Sequence, residues 1–580
     1  MFITHSKGTF VVNSLVLAQT FTATTDPVGG SVFLSALCGL LPLVAFFVLL
    51  SGFKVQAWKA GIGAVVVALL VAVFAFKMPV QHALNAGLLG GVYGLVPIVW
   101  IIVMAIWLYQ VTVRSGRFDD LRKVFNVVGG GDVRIQAVLI AFCFGGLMEA
   151  LAGFGAPVAI TATMLMALGI RPLKAAVAVL VANTAPVAFG AVGTPITTAG
   201  NLLGTADPVD SANQIGAIIG HQSPVLALFV PTLLVFILDG KKGLKDCWVV
   251  TAVIGVVFAV LQFLSSNFFS YELTDVVASL GALAVVILLL RFYKPKNRDA
   301  ARARVLDPNS AAAHESSDTQ EKLNGVDTWM ALLPYVLVVA VFGVAKLWKL
   351  GVDVPAWLAS TDVKIEWPGL HDSVVTATGD PVSSTTYSLP WLSSPGSLIF
   401  ITVVLVVIVF SIFNGKGRYK IGPVGAIKEL GSTVVNMKFA GLTIVLVLAL
   451  AYIMNLSGQT VAIGTWLAGA GGFFAFLSPI LGWIGTAVTG SDTSANALFT
   501  NLQATAAHNL NVDPHLFAAA NTSGGVVGKL ISPQNLALAA TTVGMEGKES
   551  VILKKVIGWS AAMLLVLCCI VFVEAQFAHV

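Results

Sequence analysis

The sequence predicts an all-α polytopic membrane protein with about 13 transmembrane helices, broken or re-entrant pieces, and two inverted repeats. Three observations lead there. The composition is too apolar for a soluble surface, uncharged runs of spanning length recur along the chain, and two distant segments share one Gly- and Pro-broken motif.

The first observation concerns composition. Of 580 residues, 57% are hydrophobic and 11% charged. A soluble domain carries about 25% charged residues. The 56 glycines raise the apolar fraction to roughly 67%, against a usual 45–50%. Mean hydropathy is +0.90. A soluble enzyme is thereby excluded. The net charge, 33 − 28 = +5, is spread between apolar segments and does not suggest a nucleic-acid partner. Cys38, Cys143, Cys247, Cys568 and Cys569 lie in or beside apolar runs. They show no zinc spacing, and no metal or cofactor motif is expected.

The spans follow in order. Uncharged runs centre on 32–53, 58–76, 92–113, 135–152, 155–170, 174–190, 223–239, 246–265, 272–290, 328–347, 396–413, 439–455 and 556–577. The stretch 456–545 holds several more that are harder to divide. Basic clusters fall after odd-numbered spans: Lys54 and Lys59, Arg114 to Arg134, Arg171 and Lys174, Lys241 to Lys245, Arg291 to Arg304, and Lys416 to Lys420. Lys554 and Lys555 precede the last span. By the positive-inside rule all of these face the cytoplasm, and both termini lie outside the cell membrane.

This divides the chain into an external segment 1–30 and a first membrane half 31–290 with a repeat motif at 145–203. A flexible cytoplasmic linker 291–327 follows, poor in apolar residues. The second half, 328–580, holds a repeat motif at 455–545 and an external loop 349–394. That loop carries Trp357, Trp367 and Trp391 and reads as a small cap or a loop with interfacial tryptophans.

The repeat rests on spacing. Asn183-Thr184, Gly190 and Pro195 are matched by Asn521-Thr522, Gly528 and Pro533. In each copy the Gly is seven and the Pro twelve residues after the Asn. Upstream turns, Gly153-Phe154-Gly155 and Gly490-Ser491-Asp492, are also paired. Sidedness makes the two Asn-Thr helices run in opposed directions, with the pairs approaching near the membrane centre. Irregular backbone at that depth survives only where it is buried in protein or lines a cavity. The expected helix breaks are Gly153, Gly155, Pro157, Gly490, Gly524 and Gly525.

Charge placement adds chemistry. Glu149 is the only charged residue between Ile135 and Ile170. Between Phe439 and Met545 the charged residues are Asp492, Asp513 and Lys529, and Asp513 precedes Pro514 in a turn. An intramembrane charge costs about 2.5–3.5 kcal/mol or more, so each needs a partner or a purpose. An Asp492–Lys529 ion pair is one structural answer. His508 and His515 flank the turn and read as surface residues.

Four segments carry a resemblance. They are Glu149-Ala-Leu-Ala-Gly-Phe-Gly-Ala-Pro-Val-Ala-Ile160, Asn183-Thr-Ala-Pro-Val-Ala-Phe-Gly190, Gly490-Ser-Asp-Thr-Ser-Ala-Asn-Ala-Leu-Phe499 and Ala520-Asn-Thr-Ser-Gly-Gly-Val-Val-Gly-Lys-Leu-Ile-Ser-Pro-Gln534. Together they closely resemble the bacterial L-lactate permease family, from about Val28 to the C-terminus. Ala495 and Asn535 stand where serines are expected.

The resemblance implies secondary, proton-coupled uptake of L-lactate, often with D-lactate and glycolate. A sodium-coupled carboxylate carrier built on the same repeats is the alternative, and a channel or structural membrane protein is a third class. A small 2-hydroxy monoanion asks for helix N-termini, hydroxyls, amides and a cation. The candidates are Asn183, Thr184, Ser491, Thr493, Asn521, Thr522, Ser523, Lys529 and Gln534. Lys529 is expected to meet the substrate carboxylate, directly or through Asp492. Glu149 and Asp492 are the proton-coupling candidates. Glu149 is preferred, because pairing with Lys529 would hold Asp492 ionised.

Overall fold

The computed structural model describes residues 20–128, 131–152, 155–205, 207–308, 324–348, 351–375, 382–415, 418–419 and 421–578. The described membrane part is mostly helical. The first helices are α1 (Val32–Phe47), α2 (Ala57–Leu70), α3 (Val80–Tyr93), α4 (Trp100–Ser115) and the amphipathic α5 (Arg117–Val128). Next come α6 (Val133–Val138), α7 (Gly145–Ala152), α8 (Ala156–Ala167), α9 (Pro172–Ala182) and α10 (Gly190–Leu202). The middle holds α11 (Pro208–Phe268), α12 (Thr274–Phe292), α13 (Arg298–Val305), α14 (Gly325–Leu347), α15 (Val354–Ala359) and α16 (Pro395–Ile412). The last are α17 (Pro423–Leu456), α18 (Gln459–Ala468), α19 (Phe474–Thr489), α20 (Asp492–Asn509), α21 (Pro514–Gly528), α22 (Pro533–Thr542) and α23 (Glu549–Glu574).

Eleven helices among the described residues are long and apolar enough to cross a membrane, or up to twelve with the pair Pro172–Ala182 and Val187–Leu202, bent by 61°. In that tally α11 counts once. Its 61 residues would reach about 90 Å if straight, three times a hydrocarbon core. It instead folds back at Gly240 (φ 65°, ψ −153°), a conformation open to glycine. Thr232 Oγ1 then donates to Thr251 Oγ1 at 3.2 Å, and Asn267 Nδ2 to the Ala217 carbonyl at 3.3 Å. The two arms are an antiparallel hairpin.

Two expected spans change. The third begins earlier, at Val80, and runs to Ser115 with a kink at Val96. Polar Gln81, His82 and Asn85 hide its first turns from an apolar-run search. The fifth, expected over 155–170, is only the short α8, whose 12 residues span about 18 Å and cannot cross.

The segment 291–327 is not a flexible linker where it is described. Residues 298–305 form α13. Arg304 clamps Asp239 with Nε at 2.7 Å, Asn297 Nδ2 donates to Asp246 at 3.0 Å, and Asp307 N donates to the Gly169 carbonyl at 2.7 Å. Ion pairs with the α11 turn, together with buried Ala301, Val305 and Leu306, supply the order that the segment's overall composition does not suggest. Residues 309–323 lie outside the described residues.

The all-α architecture carries a small β addition. The strand β1 (Phe21–Thr22) pairs in parallel with β3 (Val374–Val375), and β2 (Val363–Glu366) pairs antiparallel with β4 (Thr386–Leu389). The segment 351–394 is thus a folded cap where described. Trp367 Nε1 donates to Asn85 Oδ1 at 2.9 Å, and Tyr387 sits edge-on to Tyr93 at 4.7 Å, so the cap is fastened to α3.

Two large apolar cores, with two smaller clusters beside them, fill the described part of the molecule. One is centred on Phe142, Phe144, Phe189 and Phe258, and the other on Phe46, Leu448, Tyr452 and Phe499. The helix α20 lines the second core and reaches the first through α10, where Asn496 Nδ2 donates to the Pro195 carbonyl at 3.1 Å.

Candidate functional site

Two helices end abruptly inside the protein. The helix α9 stops at Asn183, and α10 starts only at Gly190. Between and just after them the chain makes a 3₁₀ turn and then holds Ala191, Val192 and Gly193 at φ 44°, 56° and 67°. A β-branched residue there is strained, and such strain persists only where surrounding packing enforces it. The helix α21 similarly ends at Gly528, passes through 3₁₀ turns at Lys529–Ile531, and turns extended at Ser532 before α22.

The first arm of α11 shows how these two breaks lie. At the start of α9, Lys174 Nζ donates to the Leu238 carbonyl at 2.5 Å. At the start of α21, the His515 ring lies 3.4 Å from the Ser211 hydroxyl. Ser211 and Leu238 are at opposite ends of that arm. Midway, Ser523 Oγ donates to Gln222 Oε1 at 2.6 Å and Ser223 Oγ to the Ala185 carbonyl at 3.1 Å. So α9 and α21 enter from opposite ends and break at one level.

There the charged residues meet. Lys529 Nζ donates to Glu149 Oε1 at 2.7 Å, and Asn183 Nδ2 donates to Glu149 Oε2 at 2.8 Å. Glu149 is 3% and Lys529 7% exposed, so neither is screened by bulk solvent. Gly190 leaves room for the Glu149 carboxylate, which a Cβ there would crowd. The pair joins α7 in the first half to the end of α21 in the second. A narrow crevice beside it is lined by Leu180, Asn183, Thr184, Val526, Lys529, Leu530 and Asn535.

The expected Asp492–Lys529 ion pair is therefore not the one formed, and the ground for preferring Glu149 over Asp492 as proton carrier, that Lys529 holds its partner ionised, falls on Glu149 instead. Lys529 projects from a turn beyond the α21 axis and reaches Glu149. Asp492, 3% exposed, starts α20. It accepts one hydrogen bond, from Thr486 Oγ1 at 3.3 Å, and its Oδ2 has no partner among the described residues.

The other expected ligands divide. Thr184 borders the crevice, with its hydroxyl on the Val181 carbonyl. Asn521 and Thr522 are sealed in a polar network instead. Asn521 Nδ2 and Thr522 Oγ1 donate to Asn496 Oδ1 at 2.7 and 3.1 Å, and Gln503 Nε2 donates to Asn521 Oδ1 at 2.8 Å. No hydrogen bond joins the two Asn-Thr pairs among the described residues. Ser523 is occupied by Gln222. Ser491 caps α20, accepting from Ser494 N at 3.3 Å, while Thr493 is buried beside it. Gln534 is exposed and lies against the Gly490 turn. Its neighbour Asn535 takes the inner place, with Nδ2 on the Lys529 carbonyl at 3.2 Å.

The glycines act in two ways. Gly155 and Gly490 hold left-handed turns at φ 87° and 74°, and Pro157 sits in the first turn of α8. Gly153 lies outside the described residues. Gly524 and Gly525 do not break α21; both are helical. A Cβ on Gly524 would overlap the Pro479 carbonyl, and one on Gly525 the Asp492 carboxylate. With Gly528 four residues after Gly524, they let α21 lie directly on α19, as small residues do between membrane helices.

Asn496, Gln503 and Asn535 were not among the expected site residues. Asn496 and Gln503 had a signal: with Thr500 they recur every three to four positions along one face of α20, and all are fully buried.

Residues 35–578 match the family model described as L-lactate permease. The chain is 39% identical over 573 residues to the L-lactate permease of Bacillus subtilis (strain 168), covering 96% of this chain and 98% of that one. It is 40% identical over 544 residues to the glycolate permease GlcA of Escherichia coli (strain K12), covering 92% and 94%. Among solved structures, the YdaH transporter of Alcanivorax borkumensis is 13% identical, with a TM-score of 0.32 over 83% of this chain and 98% of that one, a likeness too low to carry an argument. It is a permease, not an enzyme, and a multi-pass membrane protein. The chain belongs to the L-lactate permease family.

Proposed function

We propose that this permease takes up L-lactate, and with it D-lactate and glycolate, together with protons, through two inverted repeats whose broken helices meet at Glu149 and Lys529. Relatives named for lactate and for glycolate support the substrate class. The observation that carries the coupling is that the one buried cation near the breaks among the described residues, Lys529, is already bound to a carboxylate.

The mechanism follows from charge neutrality. A bare charge in this interior is costly, while the Glu149–Lys529 pair is neutral as a unit. Lactate needs an ammonium for its carboxylate, and Lys529 is released only if Glu149 becomes neutral. A proton on Glu149 does this. The loaded state, protonated Glu149 with Lys529 and lactate, is again neutral. Neither proton nor lactate enters favourably alone, so they travel together. Asn183 changes partner in the same step: its amide donates to ionised Glu149 and can turn to the substrate when the acid is protonated. Thr184 and Asn535 border the same crevice and offer a hydroxyl and an amide to the 2-hydroxyl.

The crevice is too tight for a water molecule, so lactate enters after the helices around it move apart. The antiparallel approach of α9 and α21 supports an inverted-repeat carrier, in which such movement opens the site alternately to each side. The basic ends of the helices face the cytoplasm, and both termini lie outside.

Uptake of labelled lactate into proteoliposomes tests this reading. An imposed proton gradient drives accumulation, and an imposed sodium gradient does not. Glu149→Gln, a fixed neutral acid, loses proton-driven accumulation yet keeps lactate-for-lactate exchange. Sodium-driven uptake, or proton-driven accumulation by Glu149→Gln at the wild-type level, overturns it.

A further inference from the structure

A second acid lies buried behind the break, on a helix that the mechanism above does not use. Asp275 is in the first turn of α12 and is 0% exposed. Its Oδ1 accepts from Gln262 Nε2 at 3.3 Å. Gln262, on the second arm of α11, is also 0% exposed, and the same Nε2 donates to the Ala185 carbonyl at 3.1 Å. Ala185 is in the break, two residues after Asn183.

The unpaired atoms identify the chemistry. Asp275 Oδ2 and Gln262 Oε1 are both buried without a hydrogen-bond partner among the described residues. Ser279 Oγ, one helical turn after Asp275, is buried and unpaired as well. Both Oδ2 and Oε1 are acceptors, and the Ser279 hydroxyl, the one unpaired donor named here, bonds to neither, so an ionised Asp275 leaves both acceptors unmet. One proton on Oδ2 changes this. A carboxylic acid and a primary amide form a closed pair, N–H to one oxygen and O–H to the other, and the N–H half of that pair is present. No salt bridge reaches Asp275 among the described residues.

The surroundings point the same way. Among the described residues on the helices packed against this position, the titratable groups nearest it are Glu149 of α7, Glu272 and Tyr271 just before α12, Cys143 before α7 and Tyr335 of α14, with the exposed His221 of α11 5.5 Å from the Phe263 ring beside Gln262. Of these Glu149 carries a like charge, itself paired with Lys529. The lysines and acids of α11 cluster at its Gly240 turn and its N-terminal end, away from Gln262. The dipole at the start of α12 favours an anion, but by much less than burying a lone carboxylate costs.

We propose that Asp275 is a second intramembrane proton-binding site, with its proton on Oδ2 and donated to Gln262 Oε1. The acid–amide pair fixes the Gln262 side chain, whose N–H in turn holds the Ala185 carbonyl where α9 breaks. Loss of that proton leaves Oδ2 and Oε1 facing each other as two bare acceptors, so Gln262 must turn and release the break. Proton occupancy at Asp275 is in this way tied to the backbone beside Asn183 and Glu149.

Infrared spectroscopy of the purified permease in lipid reads the proton directly and does not depend on which solute is carried or which ion drives it. The wild type shows the carboxylic-acid C=O stretch of Asp275, and the difference spectrum against Asp275→Asn shows that band lost. Asp275→Asn stays folded, because its amide makes both bonds with Gln262. Gln262→Leu keeps the band but shifts it, since its hydrogen-bond partner is gone. Identical acid bands in wild type and Asp275→Asn would show an ionised Asp275 and overturn the proposal. Should Asp275→Asn not fold, the Gln262→Leu spectrum decides: a shifted acid band supports the site, and an unshifted one overturns it.

Discussion

Lys529 is held by a single carboxylate, and its removal separates two effects. Lys529→Gln leaves Glu149 buried without its cation, and breaking a buried pair costs about 3–5 kcal/mol when the partner stays charged. Glu149 escapes most of that by taking a proton, so the variant folds. Substrate does not escape it. A hydrogen bond to a charged group contributes about 1.5–3 kcal/mol, so lactate affinity falls roughly 10- to 100-fold. Unchanged affinity in folded Lys529→Gln, measured by lactate binding to detergent-purified protein, refutes a role for Lys529 at the carboxylate. The residue-scale picture was partly legible in the sequence. Glu149, Asp492 and Lys529 stand out because each is a charge in an apolar run, and two of them do pair. Which two was not legible. Sequence distance favours Asp492, 37 residues from Lys529, over Glu149, 380 residues away, but the ending of α21 turns Lys529 toward α7. Asp275 was missed because Glu272, Asp275 and the charges after Arg291 make the flank of that span look like an ordinary helix end.

At the scale of the element, breaks and packing surfaces must be told apart, and glycine marks both. Gly490 needs its left-handed turn, whereas Gly524 needs only the absence of a side chain. Spacing alone cannot separate them; the partner helix does. Gly524→Ala places a methyl inside the Pro479 carbonyl, so α19 and α21 must separate. Overpacking of this kind costs about 1–3 kcal/mol, and here it also shifts the turn that carries Lys529. Gly524→Ala is expected to lower the melting temperature of the purified protein and to reduce lactate uptake. Gly558→Ala, whose Cβ meets nothing within 4 Å inside α23, serves as the control: it does not lower the melting temperature and leaves uptake unchanged. Equal melting of the two variants would remove the close helix contact. The same logic explains the polar stripe of α20. Asn496 and Gln503 are not ligands in this geometry but the bonds that tie α20 to α21 and α10, since polar groups in an apolar interior must be satisfied by protein.

The whole molecule is organised by where its basic residues collect, and the α11 turn is their meeting point. Arg134, 0% exposed, donates to Asp132 at 2.7 Å, Asp239 at 3.0 Å, Asp246 at 3.1 Å and the Lys296 carbonyl at 2.8 Å. Arg304 adds a second clamp on Asp239 from α13. One guanidinium thus joins α6, the hairpin of α11 and the chain after α12, which is why a segment that reads as a linker is docked. Composition could not show this, because docking by ions leaves no apolar pattern. Arg134→Met leaves three carboxylates without their shared donor. It is expected to lose about 3–5 kcal/mol of stability, seen as a large drop in melting temperature, while Lys241→Met on the same turn loses little. The same cluster fixes a test of orientation. Basic residues are retained on the cytoplasmic side during insertion, so the end of the molecule that holds Arg134, Arg171, Lys174 and Arg304 is expected to face inward and the β-bearing cap outward. In a variant with the native cysteines replaced, a single cysteine at exposed Lys364 in the cap reacts with a membrane-impermeant maleimide added to intact cells. One at exposed Lys241 reacts only after the cells are opened. The reverse pattern inverts the orientation. It would place the crevice's loading side at the opposite membrane face without altering the Glu149–Lys529 exchange, because that exchange depends on neutrality inside the protein and not on which side supplies the proton.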